Sequence, residues 1–450
     1  MKKVGFVSLG CPKNLVDSEV MMGRLAESGY EITNDADAAD TVVVNTCGFI
    51  ESAKQESIDA ILEATALKAA GKTRRVVVAG CLVERYRDDL IKELPEVDAF
   101  IGTNEVDRIL DAADETKNFR ELPLLPIGNK TATYLYDFDT PRFRATESHT
   151  AFIKIAEGCD RPCAFCSIPG MRGSFRSRRF GSVIEEARNL AEQGVKEVVL
   201  IAQDSSRYGE DLGEVDLLAS LIRALGEMEG IEWIRVMYAY PTHISDAFLA
   251  AIAETPKAVK YLDMPLQHAS RNVLKLMKRG GTRESLERLI ARVRERVPGI
   301  TIRTTFITGF PGETEEDFEE LIAFVRNCRF DNVGVFTYSD EEGTPAFDLP
   351  NKVDPKVAKH RRNRLMKEQA KISRQLNRSK IGKTFPVIFE GLSRESDLLF
   401  QGRFQGQAQE IDGYILINDI PDALEPRIGA IYNVRITEAH DYDLVGEIVA

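Results

Sequence analysis

Short apolar runs and helix-periodic stretches alternate along most of this chain. Runs at Lys3 to Leu9, Thr41 to Thr46, Arg74 to Ala79 and Val97 to Ile101 predict four strands. Between them, apolar residues recur every three or four positions at Leu15 to Ser28, Ile50 to Ala70 and Val83 to Leu94, which predicts helices. Strand–helix alternation builds a parallel sheet with helices on its faces. The pattern breaks over residues 121–150, where Pro123, Pro126, Gly128 and Pro141 fall in a stretch of little periodicity, a linker or a wrapping loop. It then resumes, with strands expected at Phe152–Ala156, Glu197–Ala202, Ile234–Tyr238, Tyr261–Met264, Thr301–Thr308 and Asn332–Thr337. Residues 354–380 form one long helical stretch rich in Lys and Arg, either a solvated helix face or a basic strip for RNA or an acidic partner. The last segment holds FPVIFEG, LLFQGRF, GYILIND and IGAIYNVRITEAHDYDLVGEIV, short strands with glycine turns that predict a small β-barrel. Four parts result: 1–120, 121–150, 151–380 and 381–450.

Length and charge narrow the class. A chain of 450 residues predicts about three domains. Its longest apolar runs fall short of a membrane span. The opening MKKVGFVSLGCPKN has too short an apolar part for a signal peptide and reads as a first strand, so a cytoplasmic location with no membrane partner is expected. Seven cysteines in a cytoplasmic protein point to metal or catalysis rather than disulfides. A net charge of −12 argues against a generic nucleic-acid binder, though screening still permits local basic patches.

Six of the cysteines fall into two sets. Cys11, Cys47 and Cys81 each follow a predicted strand end, in LGCPKN, NTCGFI and AGCLVE. In a parallel sheet those ends share one edge, the expected ligand crevice, so three thiolates far apart in sequence can meet there. Gly10, Gly48 and Gly80 beside them let backbone approach a bulky group. Ordinary buried cysteines are the plain alternative; equivalent placement of all three favours an iron–sulfur cluster. Cys159, Cys163 and Cys166 sit in AEGCDRPCAFCSIP after another predicted strand, spaced to wrap three thiolates around one small object. Zinc is the alternative there, but it usually takes four ligands, often as two CxxC pairs, and no second pair is near. The seventh, Cys328 in FVRNCRF, reads as a packing residue at a helix end.

The CxxxCxxC spacing, with Phe165 before the last cysteine and Ile168-Pro169 after it, resembles the radical S-adenosylmethionine enzymes. That resemblance implies a partial TIM-like (β/α)6 barrel and a [4Fe-4S] cluster whose open iron is chelated by S-adenosylmethionine. It also implies a cavity lined by strand-end residues: Gln203, Gln267 and the TGFPGE segment with Gly309, Pro311, Gly312 and Glu313. Met264 and His268 are further candidates, the histidine equally a structural one. The last 70 residues resemble a TRAM domain, an OB-like all-β barrel. It carries five basic against twelve acidic side chains, a net of −7, which suits a basic protein better than RNA.

Together the parts resemble the radical S-adenosylmethionine methylthiotransferases: an N-terminal parallel α/β domain, the radical core and a TRAM barrel. The resemblance implies two [4Fe-4S] clusters, an external electron donor and a sulfur source. SLGCPKNLVDSE and YLDMPLQHAS are similar to the branch that modifies the β-carbon of an aspartate in the twelfth small-subunit ribosomal protein, and a monomer is expected. Methylthiolation of isopentenyl-adenosine in transfer RNA is the alternative, and a non-catalytic iron–sulfur carrier a second one.

Overall fold

A computed structural model describes residues 2–117, 119, 134–393, 396 and 398–449. Pro123, Pro126, Gly128, Arg394, Glu395 and Asp397 lie outside the described residues.

The N-terminal part is a five-stranded, wholly parallel sheet in the order Glu31–Thr33, Lys3–Ser8, Thr41–Thr46, Arg75–Gly80, Ala99–Ile101. Thr41–Thr46 and Arg75–Gly80 are buried along their whole length, as central strands covered on both faces must be. Glu31–Thr33 is a strand the sequence pattern does not announce. It has three residues, lies on the sheet edge and stays partly exposed, so it has no continuous apolar run. The helices Pro12–Glu27, Glu51–Ala69 and Cys81–Glu93 follow the central three strands.

Six parallel strands make the middle part: Thr150–Lys154, Glu197–Ile201, Trp233–Val236, Tyr261–Asp263, Thr301–Thr308 and Asn332–Thr337. Each neighbours the next in chain order. The third and fourth meet through one bridge, Ile234 to Ala258. Among the described residues the last strand does not pair with the first, so the barrel is open. A small antiparallel pair, Ala156–Glu157 with Arg176–Ser177, brackets the CxxxCxxC loop.

The long helix Pro355–Arg378 begins with Asp354 capping the Lys356 N–H at 2.7 Å. It lies along the last barrel strand, burying Ala358, Arg361, Leu365, Gln369 and Ile372. Much of its positive charge is matched internally. Arg361 and Arg364 reach Glu315, Lys371 reaches Glu368, and Arg374 pairs with Asp441. The helix is therefore a strap joining barrel to C-terminal domain, not simply a solvated face or a free basic strip.

The C-terminal strands close into a five-stranded barrel around Val387, Phe389, Ile415, Ile417, Val434, Ile436, Leu444 and Ile448. It docks on the N-terminal mouth of the open barrel. Glu197, the first residue of its strand, takes Arg403 and Arg235 at 2.7 Å each, and Arg403 also holds Glu390 at 2.6 Å. Tyr261, likewise a first residue, donates its hydroxyl to Asp412 at 2.7 Å. The segment after residue 134 wraps rather than dangles: Arg142 joins Glu19 of the first helix to Glu186 of the barrel, and Gly23 leaves room for the Pro141 backbone, which an added Cβ would strike at 2.4 Å.

Candidate metal centres

The CxxxCxxC loop is pinned by backbone on every side. The Cys159 N–H donates to the Gly173 carbonyl at 2.9 Å and the Ala164 N–H to the Met277 carbonyl at 2.9 Å; the Ala346 N–H returns to the Ala164 carbonyl at 2.8 Å. Gly158 takes a positive φ of 83°, and an added Cβ would lie 2.1 Å from the Ser174 carbonyl oxygen. Cys159, Cys163 and Cys166 open together into a cavity of about 790 Å³ that also meets Glu84, Arg85 and Tyr86 of the N-terminal domain. Burial pushes the Cys159 thiol up to about 11, with Asp204 and Cys163 adding to the rise, and the Cys166 thiol up to about 12, with Cys163 and Cys159 adding. Such thiols become ligands when a cluster's positive iron displaces their protons. Arg279 reaches the Cys163 sulfur at 3.5 Å and stacks on Tyr240, whose ring Arg161 also covers.

The other three cysteines lie at the ends of three adjacent strands. Cys11 caps the helix Pro12–Glu27 after Lys3–Ser8, Cys47 follows Thr41–Thr46, and Cys81 opens the helix Cys81–Glu93 after Arg75–Gly80. Strands at about 4.8 Å spacing set these thiols across a span of about 10 Å. The loops abut: a Cβ on Gly10 would fall 2.8 Å from the Cys47 Cβ, and one on Gly48 3.0 Å from the Cys81 carbonyl. Asn14 and Asn45 tie them, Asn14 donating to the Leu9 carbonyl at 2.7 Å and Asn45 to the Asn14 carbonyl at 2.8 Å. Burial raises Cys47, and raises Cys81 to about 12 against the pull of Arg172. Burial also acts upward on Cys11, but the charges of Lys13 and Arg172 outweigh it and leave that thiol below its ordinary value. Among the described residues no three His, Cys, Asp or Glu side chains close as tightly as a single ion requires. Two all-thiol trios, the CxxxCxxC one opening on a cavity, fit a multi-iron cluster better than zinc.

The two edges face each other. Both the sheet and the open barrel present their strand C-termini to the same interface. Lys154 and Arg172 from the barrel each bond Asp17 of the first helix at 2.5 Å. Arg85 and Lys54 reach Glu341 at 2.7 and 3.1 Å, and Thr103 donates to the Met171 carbonyl at 2.6 Å. The short helix Ile168–Arg172 starts two residues after Cys166 and ends on the arginine whose charge acts on Cys81 and Cys11.

Three family profiles match: an uncharacterized protein family, UPF0004, over residues 3–102, the radical SAM superfamily over 153–325 and the TRAM domain over 381–449. A ribosomal protein uS12 methylthiotransferase RimO from Solibacter usitatus is 54% identical over 450 residues, covering 100% of this chain and 95% of the relative. Its counterparts from Koribacter versatilis and Geobacter sulfurreducens are 49% and 48% identical, each matching 100% of this chain and 96% and 99% of their own. The chain belongs to the RimO family of methylthiotransferases. Its fold is also that of the radical S-adenosylmethionine methyltransferase TsrM from Kitasatospora setae, solved with cobalamin and a [4Fe-4S] cluster (TM-score 0.54, 16% identity, 77% of each chain). RimO membership makes this a radical-SAM transferase and implies [4Fe-4S] and S-adenosylmethionine chemistry.

In this RimO-family chain the remaining strand-end residues sit elsewhere than in the 790 Å³ cavity. Gln203 donates to Glu157 and keeps its own buried carbonyl oxygen unpaired. Gln267 has a left-handed φ of 71° and bridges to Phe306 between barrel strands. Gly309 packs so closely on the strap helix that a Cβ would lie 2.2 Å from the Ala358 Cβ. Glu313 folds back to accept the Gly309 N–H, facing Arg361 at 3.4 Å and His268 at 3.5 Å. The His268 Nδ1 accepts the Ser270 N–H at 3.0 Å, so a neutral ring carries its proton on Nε2, toward Glu313. Gly312 donates its N–H to the Asn351 carbonyl at 2.9 Å, and Pro311 lies between these anchors. In this structure Gly309 and Glu313 hold the barrel to its strap. Met264 is fully buried in the barrel core, and Cys328 ends its helix inside the same core. Arg172 and Tyr238 carry no spacing signal, and only the folded interface brings them to the cysteines; Lys13 already lies two residues after Cys11, and the fold sets it on the Tyr238 ring.

Proposed function

We propose that this chain methylthiolates the β-carbon of an aspartate in ribosomal protein uS12, with one [4Fe-4S] cluster on Cys159, Cys163 and Cys166 and a second on Cys11, Cys47 and Cys81. The observation that supports it most is the meeting of two cysteine-bearing edges across one buried interface. When bound, the clusters and S-adenosylmethionine supply one-electron cleavage, hydrogen abstraction and the sulfur, chemistry that belongs to the cofactors. The chain's part is positional. The pinned loop fixes three thiols, the adjacent strands fix three more, and the network of Asp17, Lys154, Glu157 and Arg172 locks their relative placement and excludes water. The names of full-length relatives favour a ribosomal protein over transfer RNA, and an external electron donor and sulfur source complete the reaction. The test is the mass of uS12 after incubation with reconstituted enzyme, S-adenosylmethionine, sulfide and a low-potential reductant. A gain of about 46 Da on one aspartate, from the radical cofactor chemistry, is expected; unmodified uS12 beside modified transfer RNA overturns the assignment.

A further inference from the structure

Lys13 is a buried cation that, among the described residues, no carboxylate answers. It is the second residue of the helix Pro12–Glu27, two after Cys11, and is 8% exposed. Its ammonium sits 3.4 Å from the ring centroid of Tyr238. Tyr238 follows the barrel strand Trp233–Val236 at its C-terminal mouth, in a left-handed backbone conformation (φ 62°) held by an N–H donated to Asp263 at 3.1 Å. Lys13 therefore stands between the sheet edge and the barrel mouth, where the two cysteine sets face each other. The nearby cations Lys154 and Arg172 are matched by Asp17 and Glu157.

Burying an ammonium without a partner is costly, and such groups are normally paired. The first turn of the helix carries no acidic residue, and a helix N-terminus itself favours an anion. Cys11, the nearest candidate anion, has its sulfur committed to the cluster in the reading above. We propose that Lys13 is a specificity-determining residue that receives the side-chain carboxylate of the target aspartate. Tyr238 holds the ammonium in place until the substrate arrives. A carboxylate bound there holds the adjacent β-carbon beside the Cys11 edge, where the sulfur is delivered.

This inference rests on the proposed function, and one experiment separates the two. Labelled uS12 with its native aspartate, and with asparagine in its place, is titrated onto reconstituted holoenzyme with S-adenosylmethionine but no reductant, and anisotropy gives each Kd. The unmodified enzyme is expected to prefer aspartate by about tenfold or more, the size of one charged hydrogen bond. Lys13→Met is expected to bring that preference to about one with iron content retained, and Lys13→Arg to keep part of it. Equal binding of the two substrates by the unmodified enzyme overturns the assignment whatever the variants do, and so does a full preference in Lys13→Met. Mass analysis of uS12 runs in parallel. A modified uS12 with equal binding defeats Lys13 alone, whereas an uS12 that is never modified defeats the functional reading beneath it.

Discussion

Gly158 shows how a single residue without a side chain holds the radical loop in place. Its positive φ and the 2.1 Å gap to the Ser174 oxygen leave no room for a methyl group. Gly158→Ala is expected to cost about 1–3 kcal/mol in backbone strain and to halve the iron bound, checked by urea unfolding and iron assay. Arg172 is the next such residue. Arg172→Met leaves Asp17 and Glu157 sharing Lys154 alone, and breaking a buried ion network of this kind costs about 3–5 kcal/mol. The two cysteine trios are legible because three cysteines sit at fixed short spacing and three recur after strand ends. Arg172 is not, since a lone arginine in GMRGS has no period and gains its meaning only from Cys81 and Asp17 across the interface. Gly309 and Glu313 stand out in TGFPGE as candidates for the S-adenosylmethionine cavity, but the strap helix they pack on begins more than forty residues later.

Among elements, the barrel strands could be read directly because each is a short apolar run ending in polar or glycine residues, and Thr301–Thr308 and Asn332–Thr337 keep the expected bounds. Glu31–Thr33 and the Ala156–Glu157 pair are too short for any periodicity to mark them. The strap helix looked solvated because its basic residues outnumber its apolar ones; its packing depends on acids in Glu315–Cys328 and on Asp441 of another domain. The joint between the open barrel and the TRAM barrel turns on Glu197, which is fully buried. Burial acts to raise its carboxyl, but Arg403 and Arg235 hold it at about 2, below its ordinary 4.5. A carboxylate depressed in the folded state adds stability above its unfolded value and loses it as pH falls. The urea midpoint is therefore expected to drop between about pH 4.5 and pH 2. Arg403→Met should flatten that dependence while lowering the midpoint at neutral pH, and an unchanged pH profile would contradict the assignment.

At the scale of the whole molecule, the chemistry and the acidic barrel lie at opposite ends. The cysteines gather at the C-terminal mouth of the open barrel, and the TRAM barrel plugs the N-terminal one. Part of its acidity is spent internally, with Glu390 on Arg403, Asp412 on Tyr261 and Asp441 on Arg374. Asp419, Asp422, Glu425 and Glu438 remain exposed. These exposed acids can attract a basic protein from a distance. Reversing those four charges is expected to slow association with uS12 several-fold at low salt and much less at high salt, with kcat unchanged, as measured by stopped-flow and steady-state assays. A lower kcat at saturating uS12 would place the patch in the site instead. The facing of the two cysteine edges could not be read from either domain alone, because it depends on the Asp17, Lys154, Glu157 and Arg172 network that joins them. The central claim is that these edges hold two separate clusters, and iron content tests it most directly. Anaerobically reconstituted protein is expected to carry about eight irons per chain, and the triple alanine variant of either cysteine set about four. About four irons in the unmodified protein, with full methylthiolating activity, would contradict it.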